Sequence, residues 1–128
     1  IVKVKPATLV LACKNAVTKG QVFEVARLAG ILAAKRCSDL IPLCHPLAIT
    51  STRVDVKPLG TNRIRVEAEV HALDRTGVEM EALAAAAVAA LTVYDMLKAV
   101  ERGITIERVR LLEKDGGKSG RFVRAATR

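Results

Sequence analysis

A histidine held between two prolines is the first candidate for chemistry in this sequence. His45 follows Cys44 in residues 35–47, KRCSDLIPLCHPL, with Pro42 and Pro46 on either side. The order of polar and apolar residues there fits neither helix nor strand periodicity, and each proline fixes its own φ and lacks an N–H. The sequence therefore predicts a stiff loop that presents the imidazole to a small polar ligand. The alternative is a buried loop histidine that is hydrogen-bonded to the backbone.

An aspartate and a lysine three residues apart form the second candidate. Asp95 and Lys98 fall on one face of a predicted helix, within reach of each other. Their neighbours include Tyr94, Met96 and Leu97, and buried charges cost stability unless they are paired or used. We expect burial beside a charge to lower the pKa of the lysine, so that it exchanges protons near neutral pH. The alternative is a surface ion pair.

Two glutamates stand at the start of the same predicted helix, where the helix dipole favours acidic side chains. That preference alone could explain Glu79 and Glu81, and ligand binding is the other interpretation. Glu81 lies near the same stripe as Asp95, but a rise of about 1.5 Å per residue separates the two by roughly 21 Å. A small ligand can hardly touch both within one chain. If both serve one site, two subunits must contribute to it.

A glycine-rich basic segment, residues 114–120, is the last candidate. Its GKS sequence lacks the glycine that a P-loop needs at the position of Leu112 and shows no following helix, so a P-loop is excluded. Glycines still let backbone amides approach a phosphate, with Lys114 and Lys118 beside them. The alternative is a mobile basic tail.

The amino-acid composition limits the kinds of partner that this chain is expected to bind. The 128 residues suit one domain. They are 51% hydrophobic but include only two Phe, one Tyr and no Trp, so the core must be built from small aliphatic side chains. The net charge of +8 predicts an anionic partner or substrate. Since aromatic side chains that stack on single-stranded bases are scarce, a phosphorylated small molecule fits at least as well as a nucleic acid.

The cysteines and the hydropathy of the chain indicate where in the cell the protein is expected to be. Cys13, Cys37 and Cys44 are odd in number and lack CxxC spacing, which predicts reduced thiols and a cytoplasmic protein. Adjacent Cys44 and His45 are poorly placed to share one zinc ion and no second pair exists, so we expect no metal site. We expect no signal peptide and no membrane segment, because acids flank the alanine-rich helix. The missing initiator Met predicts that the natural start is absent.

Periodicity predicts the elements that must position these residues. Helices are predicted over residues 6–15, 21–35 and 78–102, and strands over 50–56, 63–71 and 104–112. His71 falls on the polar face of the second strand and is predicted at the surface. Residues 82–90 contain seven alanines, which suit close packing. The apolar side of the second helix is predicted to comprise Val22, Val25, Ala26, Leu28, Ala29 and Leu32.

Four segments resemble, in order and spacing, the MoaC family of molybdenum cofactor biosynthesis proteins. They are KGQVFEVARLAGILAAKRCSDLIPLCHPL, TGVEMEAL, LTVYDMLKAV and LLEKDGGKSG, and the resemblance runs from about Lys5 to Gly120. It implies an α+β fold with a ferredoxin-like antiparallel sheet packed with helices, one of them long and alanine-rich. It also implies a homohexamer, a trimer of dimers with active sites at the dimer interface. Residues 1–128 would form a single domain that lacks the family's N-terminal segment.

The resemblance also implies a reaction. The family converts 3',8-cyclo-7,8-dihydro-GTP into cyclic pyranopterin monophosphate and releases pyrophosphate. The resemblance implies no resident cofactor, although the substrate's triphosphate could bring its own Mg²⁺. By this resemblance the catalytic residues are Asp95, Lys98, Lys19 and His45. The substrate-binding residues are Cys44, Glu79, Met80, Glu81, Lys114 and Lys118.

Two other interpretations compete with this enzyme. A basic oligomeric module that binds RNA or nucleotides without turnover would explain the net charge and the glycine-rich segment. It would explain neither Asp95 with Lys98 nor the histidine between prolines. An inactive relative is the other alternative, and the presence of all the matched catalytic residues argues against it.

Overall fold

The hydrophobic patterns produce an α+β fold, seen here in a computed structural model that describes residues 1–73 and 76–126. The elements are β1 Val2–Lys3, α1 Pro6–Cys13, α2 Val22–Lys35, α3 Cys37–Leu40, β2 Ile49–Leu59, β3 Arg63–Ala72, α4 Glu79–Leu97, β4 Thr105–Ile106, β5 Glu113–Lys114 and β6 Phe122–Val123. The sheet order β2-β3-β1-β4 is antiparallel throughout, and β5 pairs with β6 in a small second sheet. Helices α1, α2 and α3 lie between β1 and β2, and α4 lies between β3 and β4. With the sheet order, this is a ferredoxin-like arrangement, which confirms the expected class.

The hairpin of β2 and β3 forms half of the main sheet. Its register runs from Ile49 opposite Ala72 to Leu59 opposite Arg63. Both predicted strands are confirmed, and β2 continues further than predicted, through Pro58. Because β2 is an edge strand, a proline without an N–H can sit there without breaking an internal ladder.

Close contact between α2 and α4 organises the core. A Cβ atom added to Gly30 of α2 would lie 2.9 Å from the carbonyl oxygen of Ala85 and 3.2 Å from the Val54 side chain. Ala85 and Ala89 of α4 are fully buried. The small residues thus bring the two helix backbones and the sheet together, as the alanine stretch predicted.

The predicted apolar side of α2 is partly wrong. Val22 and Ala26 are buried as expected, but Val25, Leu28 and Leu32 are 41%, 57% and 49% exposed. The helix is apolar around much of its circumference, so a single 100° stripe cannot be chosen from its sequence. The buried face continues instead through Gly30, Ala33 and Ala34.

Several element ends also differ from the prediction. Helix α4 ends at Leu97 rather than at 102, and β4 covers two residues of the predicted 104–112. The fully buried Val2 belongs to β1, which was not predicted. Strands of two residues show no periodicity, and they exist because β1 pairs with β3 and β4. Glu101, predicted as helical, instead accepts a hydrogen bond from the Lys5 backbone N–H at the start of α1.

By length and composition alone α4 could cross a membrane. In this fold the helix packs against α2 and β3, and Ala90, Val93 and Leu97 are buried in the core. A core helix of a soluble protein passes the same test, so the evidence for a membrane span is weak.

Candidate functional site

Three charged side chains meet at the end of α4. Asp95 is in the last turn of the helix, and Lys98 follows its final residue. The Lys98 Nζ atom lies 2.7 Å from Asp95 Oδ1. Lys19, from the loop between α1 and α2, places its Nζ atom 2.9 Å from Asp95 Oδ2 and 3.0 Å from the Asp95 carbonyl oxygen. The packing of α2 on α4 therefore joins residues that are 76 positions apart in the chain.

This lysine–aspartate–lysine cluster is open to solvent, not buried. The side chains of Lys19, Asp95 and Lys98 are 46%, 55% and 51% exposed. Hydrogen bonds from Lys98 and then Lys19 lower the pKa of Asp95 to about 2. The same hydrogen bond from Lys98 raises the pKa of that lysine. The predicted lowering of the Lys98 pKa is therefore wrong for this chain, because the carboxylate outweighs slight desolvation.

A second group lies at the other end of α4. Glu81, in the first turn, is 3% exposed. The Cys44 Sγ atom lies 3.4 Å from Glu81 Oε1 and 3.7 Å from the Sγ atom of Cys37, which is 1% exposed. Burial, followed by the hydrogen bond with Cys44, raises the pKa of Cys37 to about 12. The pKa of Cys44 is also raised, mainly by burial.

The sequence predicts no metal site, because Cys44 and His45 are poorly placed to share one ion and no second pair is apparent. The fold instead places Cys37 and Glu81 beside Cys44. The missed signal was Cys37 itself, a second cysteine seven residues before Cys44. Since α3 begins at Cys37, the chain turns back between the two thiols.

His45 is exposed, which excludes the buried, backbone-bonded histidine considered above. Pro42 and Pro46 are exposed beside it, and this part of the loop has neither helix nor strand. Within residues 1–73 and 76–126, no hydrogen bond or ion pair joins the imidazole to Asp95 or Lys98. The ring is therefore presented to solvent, as the proline pattern predicted.

The third group joins the glycine-rich segment to the start of α4. Lys114 places its Nζ atom 3.6 Å from Glu79 Oε1 and also donates to the Ser119 hydroxyl. The other carboxylate oxygen of Glu79, Oε2, is buried without a hydrogen-bond partner among the described residues. Strands β5 and β6 enclose the segment, so it is a folded hairpin and not a free tail. Gly116 and Gly117 have φ angles of 84° and 78°, which favour glycine.

A cavity of about 740 Å³ lies between β3, the first half of α4 and residues 110–115. Glu79 and Lys114 line it, together with His71 on the sheet side. His71 is exposed, as predicted, and its Nε2 atom is 2.7 Å from Glu69 Oε1. The cavity offers charged groups of both signs to a polar ligand.

The predicted site residues thus fall into separate places on one chain. Lys19, Asp95 and Lys98 form one group, Cys44 and Glu81 a second, and Glu79 and Lys114 a third. No hydrogen bond or ion pair links one group to another in the part of the chain that the structure describes. Met80 is half-buried and the Lys118 side chain is exposed.

The chain is similar over most of its length to proteins of a known family. The model of a family described as the MoaC family matches residues 1–117. A protein named cyclic pyranopterin monophosphate synthase, from Thermomicrobium roseum, is 57% identical over 124 residues, which cover 96% of this chain and 75% of that protein. The family match contains every candidate residue discussed here except Lys118.

Proposed function

Because this chain belongs to the MoaC family, we propose that it converts 3',8-cyclo-7,8-dihydro-GTP into cyclic pyranopterin monophosphate with release of pyrophosphate. It is an enzyme of molybdenum cofactor biosynthesis. The observation that best supports the catalytic assignment is the cluster of Lys19, Asp95 and Lys98. Each of these residues matches a family motif, and the cluster joins a loop residue to one that lies 76 positions later.

Asp95 is proposed to hold the two lysines in place and, by raising the pKa of Lys98, to keep that lysine protonated. Its carboxylate accepts one hydrogen bond on each oxygen, from Lys19 on Oδ2 and from Lys98 on Oδ1. Two ammonium groups and one carboxylate leave a local charge of about +1, which favours an anionic substrate. The ionised Asp95 is thus a positioning group that also supplies charge.

Lys98 is proposed to act first as an acid. Its raised pKa keeps it protonated at neutral pH, so it can donate a proton when the purine of the substrate is opened. The resulting amine can then accept a proton as the pterin ring is built. His45 is exposed, and an imidazole is the side chain that most often serves as a general acid or base. It is proposed to join the cluster from another subunit.

The phosphate end of the substrate is proposed to lie against the glycine-rich hairpin. A substrate hydroxyl attacks the α-phosphorus, a new P–O bond forms and the bond to the β-phosphate breaks, which expels pyrophosphate. Lys114, Lys118 and the backbone amides at Gly116 and Gly117 would stabilise the developing negative charge. The proposal includes no resident cofactor; the triphosphate can bring its own Mg²⁺.

The assembly is proposed to be a homohexamer, a trimer of dimers whose active sites lie at the dimer interface. The separation of the three residue groups on one chain supports a site shared between subunits. Exposed apolar side chains on α2, namely Val25, Leu28 and Leu32, would be covered by other copies. We propose that the assembly is cytoplasmic.

Incubation of the protein with 3',8-cyclo-7,8-dihydro-GTP tests this function directly. We expect a pterin product and one pyrophosphate per turnover, with GTP as a negative control. Lys98→Ala should abolish turnover, whereas Lys57→Ala, which removes an exposed lysine on β2, should not. Absence of product from folded protein would overturn the proposal. Regular weakening of RNA binding with salt, without turnover, would favour the binding module instead.

A further inference from the structure

We propose that Cys37, Cys44 and Glu81 form a binding site for Zn²⁺. Their two Sγ atoms and one carboxylate oxygen all lie within 4.8 Å of one another. Two of the three side chains are buried, and the third, Cys44, is partly exposed and provides access from solvent. The site is defined by geometry within one chain and does not depend on the reaction proposed above.

The two contacts that Cys44 makes have separations close to those of tetrahedral zinc ligands. Thiolate sulfurs at about 2.3 Å from a tetrahedral zinc ion lie roughly 3.8 Å apart, and a sulfur and a carboxylate oxygen roughly 3.6 Å apart. The observed separations are 3.7 Å between the Sγ atoms of Cys37 and Cys44, and 3.4 Å between Cys44 Sγ and Glu81 Oε1. Both agree with these values to about 0.2 Å, and the third pair, Cys37 Sγ and the Glu81 carboxylate oxygen, lies within 4.8 Å.

The charge balance at Glu81 also favours a cation. In the part of the chain that the structure describes, its buried carboxylate has one hydrogen-bond partner, the Cys44 thiol. A thiol is a weak donor, and burial of a charge is costly without strong compensation. The N-terminus of α4 supplies part of that compensation. A divalent cation would supply more, and the two thiols would release their protons to solvent as it binds.

The donor set selects the type of metal. Two sulfur ligands favour Zn²⁺ over Mg²⁺ and Ca²⁺, which prefer oxygen. Three protein ligands leave the fourth tetrahedral position for water or a small ligand. If Cys44 and Glu81 also contact the substrate, as the family resemblance implies, bound zinc and substrate would exclude each other. That consequence rests on the proposed function, whereas metal binding itself does not.

Direct titration of the untagged, full-length protein with Zn²⁺ tests the site. The protein is first reduced with a phosphine and freed of metal and chelator, and binding is followed by calorimetry and by competition with a chromophoric chelator. We expect one Zn²⁺ per chain and no binding of Mg²⁺ at this site. Co²⁺ should give a thiolate-to-metal charge-transfer band.

Matched cysteine variants make the test specific. Cys37→Ala should weaken Zn²⁺ binding more than about 100-fold. Removal of a group that only hydrogen-bonds to a metal ligand already lowers metal affinity about 10–100-fold, and Cys37 is itself a proposed ligand. Cys13→Ala removes an exposed thiol of α1 outside the cluster and should bind zinc as the parent does. If Cys37→Ala fails to fold, Cys44→Ala, at a less buried position, replaces it in the zinc-binding test. Absence of stoichiometric zinc binding by the parent, or equal binding by the cluster variants and Cys13→Ala, would overturn the proposal.

Discussion

Mixing two inactive variants should restore activity, because we expect the proposed interfacial site to combine Glu81 of one chain with Lys98 of another. Glu81→Gln keeps the side-chain shape and removes the buried carboxylate charge. Lys98→Ala removes the ammonium group at the end of α4 and introduces a good helix former. Alone, each variant lacks one group at every site. Turnover by Lys98→Ala should therefore fall at least about 100-fold below the parent, the lower end of the range for a positioned proton carrier. Glu81→Gln should also be inactive, because it lacks a charged substrate-binding group.

The expected recovery is about one quarter of the parent activity. Along α4, Glu81 and Asp95 are separated by roughly 21 Å, and Lys98 lies beyond Asp95. In a symmetric dimer each site would combine Glu81 of one chain with Lys98 of the other. Random exchange of equal amounts makes about half of the dimers mixed, and each mixed dimer has one intact site of its two.

The assay uses separately tagged variants that are exchanged, purified through both tags and tested for pyrophosphate release. Tandem purification enriches mixed oligomers, so unfractionated mixtures are measured beside them. Mixing Lys98→Ala with Asp95→Asn is the matched control. Those two residues belong to one chain's cluster, so every mixed site remains damaged. Mixed oligomers that form but stay inactive, in the first pair, would refute the shared site.

Three further changes are predicted from the same contacts. Asp95→Asn should reduce turnover nearly as much as Lys98→Ala. Because the folded-state pKa of Asp95 is lowered, the stability that it contributes to the parent should be present above pH 3.8 and lost as the pH falls through about 2. Equal melting curves of parent and variant at every pH would contradict this. His45→Ala should lower activity with little change in melting temperature, because the ring is exposed; a large loss of stability with full activity would assign it a structural role. Gly30→Ala should lower the free energy of unfolding by about 2 kcal/mol and the melting temperature by several degrees. The overpacking cost of about 3 kcal/mol exceeds the gain of about 1 kcal/mol from the higher helix propensity of alanine. Gly103→Ala, with open space around it, is the control.

Local patterns in the sequence were sufficient for the hairpin, the three longer helices and the pairing of Asp95 with Lys98. Strand alternation and helical spacing act over a few residues, so they can be recognised without knowledge of the tertiary structure. The loop between prolines was predictable for the same reason, because a proline restricts its own backbone wherever it occurs. The family resemblance rested on the same segments, and the comparisons confirm it.

Tertiary structure decided what no local pattern contains. Only the packing of α2 on α4 brings Lys19 to Asp95 and Cys37 to Glu81, because those pairs are far apart in sequence. The exposure of Lys98, and with it the upward direction of its pKa, depends on which face of α4 is covered. Burial and long-range contacts are properties of the folded chain, so an apolar sequence neighbourhood could not reveal that this lysine is open to solvent.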